Sequence, residues 1–203
     1  RYALNYNTDG NSNTENGRSA LYNNINGDYN TANGRTALYN NTSGNSNVAV
    51  GVRALYSNTT ISNLVAIGDS ALYNNGIGAT GSLQAHFNTA LGSKALLSNT
   101  TGYSNTANGY WALYLNTTGY NNTANGNQAL FNNIDGNWNT AIGYSANSLG
   151  STYDNSTGVG YNADCSAPDQ VRIGNSSVSS IGGYANWTNL SDAQFKENIE
   201  ENV

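Results

Sequence analysis

Apolar residues recur along this chain at an interval that matches neither a helix nor a simple strand. The dipeptide Ala-Leu begins at Ala3, Ala20, Ala37, Ala54 and Ala71, resumes at Ala95, Ala112 and Ala129, and Ala146 follows in phase. The interval is 17 residues throughout, except that Ala71 to Ala95 spans 24, so one repeat carries seven extra residues. Glycines keep the same register, from Gly17 and Gly34 through Gly92 and Gly109 to Gly160. The unit reads NTAxGxxALYxNxxxGx, as in NTANGRTALYNNTSGNS from Asn30.

Such a unit is too short for a helix pair, a propeller blade or a leucine-rich repeat. It suits one coil of a narrow β-solenoid, and the pattern predicts two short strands and two turns per coil. The Thr-Ala and Ala-Leu segments supply the small and apolar residues that would point inward. Gly10, Gly27, Gly44, Gly102, Gly119 and Gly136 fall where tight corners would use a positive φ. Stacking then places equivalent residues about 4.8 Å apart, the spacing of neighbouring strands.

Columns of identical residues follow from this stacking. Asn stands three residues after the Leu of every Ala-Leu pair, from Asn7 and Asn24 to Asn116 and Asn133, which predicts a ladder of amides at a turn. A second Asn column, from Asn13 to Asn139, precedes the NTA segment. Tyr22, Tyr39, Tyr56, Tyr73, Leu97, Tyr114 and Phe131 directly follow Leu and predict packed rings, along one chain or against another. The residue before the repeat glycine switches in blocks between amide (Asn16, Asn33, Asn108, Asn125) and aliphatic (Val50, Ile67, Leu91, Ile142). Blocks of that kind suggest an interface, and a coil with such small inward residues needs association to bury enough apolar area.

Composition narrows the function. About a fifth of the residues are Asn, charged residues make up 9%, and the net charge is −5 with only seven Lys and Arg. So few cations argue against nucleic acid as a partner, because each phosphate contact requires one. The single Cys165 has no partner for an intrachain disulfide and reads as a small buried residue. No apolar run is long enough for a membrane span, so no membrane insertion is expected in this segment. Arg1 enters a repeat part-way, which reads as a piece of a longer protein. One His and scattered carboxylates form neither a catalytic triad nor a metal set, so neither a conventional enzyme nor a cofactor is expected.

NTAIGYSA from Asn139, NTALGSKAL from Asn88 and NVAVGVRAL from Asn47 resemble the head repeats of YadA-type trimeric autotransporter adhesins. The resemblance covers roughly residues 1–175. It implies an all-β fold, a left-handed parallel β-roll assembled as a homotrimeric fibre. The longer coil and the Asn column are similar to repeats of bacterial and phage tail-fibre-like proteins. The ending, VRIGNSSVSSIGGYANWTNLSDAQFKENIEENV from Val171, resembles the junction at which such a fibre meets an endosialidase-type intramolecular chaperone. That resemblance makes 1–175 the repetitive shaft or head, 176–190 a neck, and 191–203 the first helix of the chaperone. It also matches Ser191 and Lys196 to a self-cleaving pair. A neutral Lys196 amine would take the hydroxyl proton while Ser191 attacks the carbonyl of Leu190, provided burial lowers the lysine pKa. The residues themselves leave a second reading open: Ser191 with Gln194 is a capping box, and Phe195, Ile199 and Val203 form a helical stripe.

The implied role is structural, in host-surface attachment as a virion tail fibre or, alternatively, as an extracellular bacterial adhesin. An ice-binding solenoid is a further class, since Thr106, Thr123 and Thr140 form a column, but Val48 and Val65 interrupt it. Two places are candidates for binding a cell-surface glycan or receptor. One is the insertion, GIGATGSLQAHF, with His86 and Phe87. The other comprises aromatics the repeat does not require: Tyr103, Tyr110, Trp111, Tyr120, Trp138 and Tyr144.

Overall fold

The computed structural model describes residues 3–148 and 152–181. The proposed helix and cleavage site at Ser191 and Lys196, and most of the 176–190 neck, lie outside the described residues. Each coil contributes one three-residue strand: β1 (Thr14–Asn16), β2 (Thr31–Asn33), β3 (Val48–Val50), β4 (Val65–Ile67), β5 (Thr89–Leu91), β6 (Thr106–Asn108), β7 (Thr123–Asn125), β8 (Thr140–Ile142), β9 (Thr157–Val159) and β10 (Val171–Ile173). All ten pair in parallel, in sequence order, as a single sheet. Equivalent residues pair, Ala32 with Ala49 for example, and the 24-residue coil keeps that register, with Ala66 opposite Ala90. The chain is therefore an all-β solenoid, and the extra seven residues are accommodated without disturbing the sheet.

The strand's pleat sorts its three residues. In β2 to β9 the middle one is buried, completely so at Ala32, Ala66 and Ala107, while its neighbours face outward; at the two ends Glu15 is half-buried and Arg172 exposed. The opposite wall holds the Ala-Leu pair, also fully buried, so the core is a column of Ala facing columns of Ala and Leu. At the C-terminal end the Leu column gives way to Asn147, whose Nδ2 donates to Ser156 Oγ (2.9 Å) and whose Oδ1 accepts from the Cys165 amide (3.2 Å). The final coil is shorter, with Thr157 opposite Val171, and it encloses Cys165, 2% exposed.

The Ala-Leu wall is not the second strand that the repeat pattern predicts. Its amides do bond from coil to coil, as Leu38 N to Ala54 O (3.0 Å) and Asn23 N to Tyr39 O (3.1 Å). Yet every Leu of the column has a left-handed φ, 49° at Leu38 and 52° at Leu113, as does the residue two before it, Thr36 at 57° and Trp111 at 61°. The reason is curvature: the wall must bend closely around a core only a few small side chains wide, and alternating the sign of φ bends it. Each left-handed non-glycine costs about 1–2 kcal/mol. Complete burial of one Leu returns about 1.5–3 kcal/mol, and so is of the right size to offset it.

Glycine serves two different purposes. At Gly17 and its equivalents through Gly143 φ lies between 130° and 147°, and a Cβ would run into the carbonyl of the next coil's glycine. Gly27 and the other corner glycines are not left-handed, contrary to the expectation from turn chemistry. They are glycine because a Cβ at Gly27 would lie 2.5 Å from both Asn24 Oδ1 and Gly44 O. The corner is filled by the Asn ladder: Asn116 Nδ2 donates to Asn99 Oδ1 (2.9 Å) and to Gly119 O (3.0 Å), and Asn133 Nδ2 donates back to Asn116 Oδ1 (2.8 Å). The second Asn column bonds likewise, with Asn122 N donating to Asn105 Oδ1 (3.0 Å) and Asn122 Nδ2 to Gly136 O (2.8 Å). These amides satisfy backbone groups that a buried corner would otherwise leave unpaired.

Burial pushes the Cys165 thiol above its ordinary range, with Arg172 pulling the other way. The folded thiol thus holds its proton more tightly than the unfolded one. Its contribution to stability is complete below the unfolded pKa and is lost as pH rises through the folded one. A thiol reagent at neutral pH is expected to label Cys165 only after denaturant is added; immediate stoichiometric labelling of the native chain would contradict this placement.

Candidate binding surfaces

The insertion leaves the coil at the Asn ladder. Asn75 would continue the ladder by donating to Asn58, but instead donates to Ala85 O (3.1 Å), leaving the buried Asn58 Oδ1 without a partner. Asn99 then rejoins by donating to Asn75 Oδ1 (2.8 Å). Ile61 stands in the corner-glycine column at this level and packs beneath Gly76, where a Cβ would sit 3.1 Å from Ile61 Cγ1. The outer loop is pinned by Gln84, whose Oε1 accepts from the amides of Thr80 (2.8 Å) and Gly81 (2.9 Å), and it exposes Ile77 and Leu83.

The structure divides the predicted aromatic set between two corners flanking the sheet. Before the strands, His86 and Phe87 (ring centroids 5.6 Å apart) lead into a strip continued by Tyr103, Tyr120 and Trp138 in the next three coils. Tyr103 stacks on Tyr120 (4.7 Å), and Trp138 meets Tyr120 edge-on (5.0 Å). The insertion's aromatics and the later ones, two separate candidates in the sequence, therefore share a corner. Ser104 N bonding to His86 O, and Trp138 N to Tyr120 O, tie these coils together.

After the strands, Tyr110 stacks on Trp111 (4.5 Å). Trp111 also touches Tyr114 and Phe131 (5.7 Å each), with Lys94 Nζ 5.8 Å above its ring. Its indole nitrogen is buried without a hydrogen-bond partner. Tyr144, stacked with Tyr161 (5.6 Å), lies on this side but two coils away. Phe87 and Trp138 are about half exposed, whereas Trp111 is partly buried.

Between these corners lies the outer face of the sheet. Its strand-end column exposes Ile67, Leu91, Ile142 and Ile173 in two blocks separated by Asn108 and Asn125. A third feature was missed by reasoning from the repeat. An open groove of about 450 Å³ runs beside the Tyr column, lined by Arg18, Ser19, Arg35, Thr36, Arg53 and the tyrosines 39, 56 and 73. The signal available in the sequence was the spacing of Arg18 and Arg35, one repeat apart. A second groove, of about 640 Å³, lies among residues on the other side of that column, including Tyr6, Ile25 and Asn40.

Among the described residues no group of three or more His, Cys, Asp or Glu side chains is placed to hold a metal ion, and no helix is long and apolar enough to cross a membrane. Comparison with protein-family models, with curated proteins and with solved structures gives no match, so the functional reading rests on these surfaces.

Proposed function

We propose that this chain is a segment of a homotrimeric, left-handed β-roll fibre that serves attachment to a cell surface. The observation that carries the reading is the sheet's outer face. A slender core of Ala and Leu lies behind a sheet face that leaves Ile67 37%, Leu91 43%, Ile142 45% and Ile173 43% exposed in one strand position. Aligned aliphatics on an otherwise Asn-rich surface are what a chain-to-chain contact would bury. Parallel coils in register suit a rotationally symmetric assembly, since every level of one chain meets the same level of the next. A tail fibre is the reading favoured by the similarity of the C-terminal junction; a bacterial trimeric adhesin would use the same assembly.

Replacing both Ile67 and Leu91 with Lys is expected to convert the trimer to monomer, because repulsion among lysines brought close around an axis adds to the lost burial. Sedimentation velocity checks this, and an unchanged trimer would remove the sheet face from the interface. For attachment, the corner carrying Phe87, Tyr120 and Trp138 is the proposed contact. Trp138→Ala with Phe87→Ala is expected to lower binding to host cells at least tenfold, measured with labelled protein, while the trimer persists.

Self-cleavage between Leu190 and Ser191 completes the proposal. Expressed with its full C-terminal region, the mature chain would end at Leu190 by intact mass, and Ser191→Ala would abolish the scission.

A further inference from the structure

We propose that the groove between the guanidinium groups of Arg18, Arg35 and Arg53 and the stack of Tyr39, Tyr56 and Tyr73 binds a carboxylated polysaccharide. The inference adds to the attachment role above a second contact, apart from the Phe87 and Trp138 corner, and rests on that reading. It begins with charge. The chain carries −5 overall and has only seven Lys and Arg, yet three of them line this one groove, all exposed, in three successive coils. No carboxylate lines it. Arg18 and Arg35 occupy the same position of adjacent repeats, and Arg53 is displaced by one residue in the next. Like charges one coil apart repel, and an anion lying across them removes that repulsion.

The tyrosines specify what kind of anion. Tyr39, Tyr56 and Tyr73 stack almost parallel, 5.3 and 5.1 Å between centroids with 7° and 3° between planes. Their faces are thus turned to one another along the stack, leaving edges and hydroxyl groups for the groove. Aromatic edges carry the positive part of the ring quadrupole, so they reinforce the arginines. Nucleobases would need free faces for stacking. A sugar chain instead offers hydroxyl groups to the phenols and to Ser19 and Thr36, and carboxylates to the guanidinium forks. Successive coils repeat at about 4.8 Å, so a groove crossing three of them suits an extended chain with recurring charges better than a single small acid. The groove is lined by residues that follow the strands and by the Tyr column, and none of the strand-end aliphatics Ile67, Leu91, Ile142 and Ile173 lines it.

The test uses the assembled protein and an oligogalacturonate, with its methyl ester as a neutral counterpart and a sulfated oligosaccharide and single-stranded DNA as other anions. Binding by calorimetry is expected for the oligogalacturonate and not for its ester, weakening as salt is raised from 50 to 500 mM, on the order expected for exposed charges. Arg18→Gln with Arg35→Gln is expected to weaken it at least tenfold, whereas Arg172→Gln, an exposed charge in β10, leaves it unchanged. Equal binding of the ester, equal or tighter binding of sulfated chains or DNA, or full binding by the double variant overturns the proposal. Loss of the trimer in that variant also overturns it, assigning the arginines to chain association. If the protein adheres to host cells but binds no acidic saccharide, the groove assignment fails while attachment stands; absence of any adhesion fails the attachment reading itself.

Discussion

Gly34→Ala is expected to destabilise the solenoid by roughly 3 kcal/mol, several times the cost of Gly78→Ala. The two glycines share a positive φ, 146° and 76°, so each alanine suffers backbone strain, on the order of 1 kcal/mol or more. They differ in what lies beyond the Cβ. At Gly78 nothing lies within 4 Å. At Gly34 the new methyl would overlap the carbonyl group of Gly51 in the next coil, with the carbonyl carbon 2.6 Å away. That obstacle is backbone, held by its own cross-coil bonds such as Gly51 N to Asn33 O (2.8 Å), so no side chain can swing aside. Overpacking against rigid surroundings costs about 1–3 kcal/mol in addition to strain. Thermal unfolding of the two variants measures the difference, and equal midpoints would mean that the coils are not stacked glycine on glycine.

Asn116→Leu is expected to cost about 3 kcal/mol, and Asn58→Leu distinctly less. The side chains are similar in shape, so the substitution chiefly removes hydrogen bonds. At Asn116 it removes three, leaving Asn99 Oδ1 buried with no donor and Asn133 Nδ2 with one bond in place of two. Each buried polar group stranded in this way costs about 1–3 kcal/mol. Asn58 donates to Asn41 Oδ1 (3.1 Å) and Ile61 O (3.0 Å), but its own Oδ1 already lacks a partner, and leucine removes that orphan. The two denaturant midpoints should therefore separate, with Asn116→Leu the less stable. Coincident midpoints would show that the ladder is continuous past the insertion.

The contrast between these positions also marks what the sequence could convey. The Asn ladder and the Ala and Leu columns were legible because identical residues at a fixed interval must stack if the chain coils at all. The single strand per coil was not. A left-handed φ normally announces itself by Gly or Asn, and here it is carried by Leu38, Arg53 and Trp111, held by contacts between coils rather than by local preference. The corner glycines misled for the converse reason: Gly27 serves close approach, not a positive φ. The grouping of aromatics was hidden as well. Which corner a residue reaches depends on the coil's cross-section, which separates Trp111 from Trp138 although both occupy a left-handed position next to the same kind of strand. Arg53 was obscured by its offset of one residue from the Arg18 and Arg35 column.

The account depends most on the outer sheet face being covered by copies of the same chain, and the native mass of the purified protein tests that most directly. Under non-denaturing conditions at micromolar concentration, a mass three times that of the 21.4 kDa chain is expected. A species of 21.4 kDa that remains folded would contradict it, because the exposed Ile67, Leu91, Ile142 and Ile173 would then face water in a stable monomer.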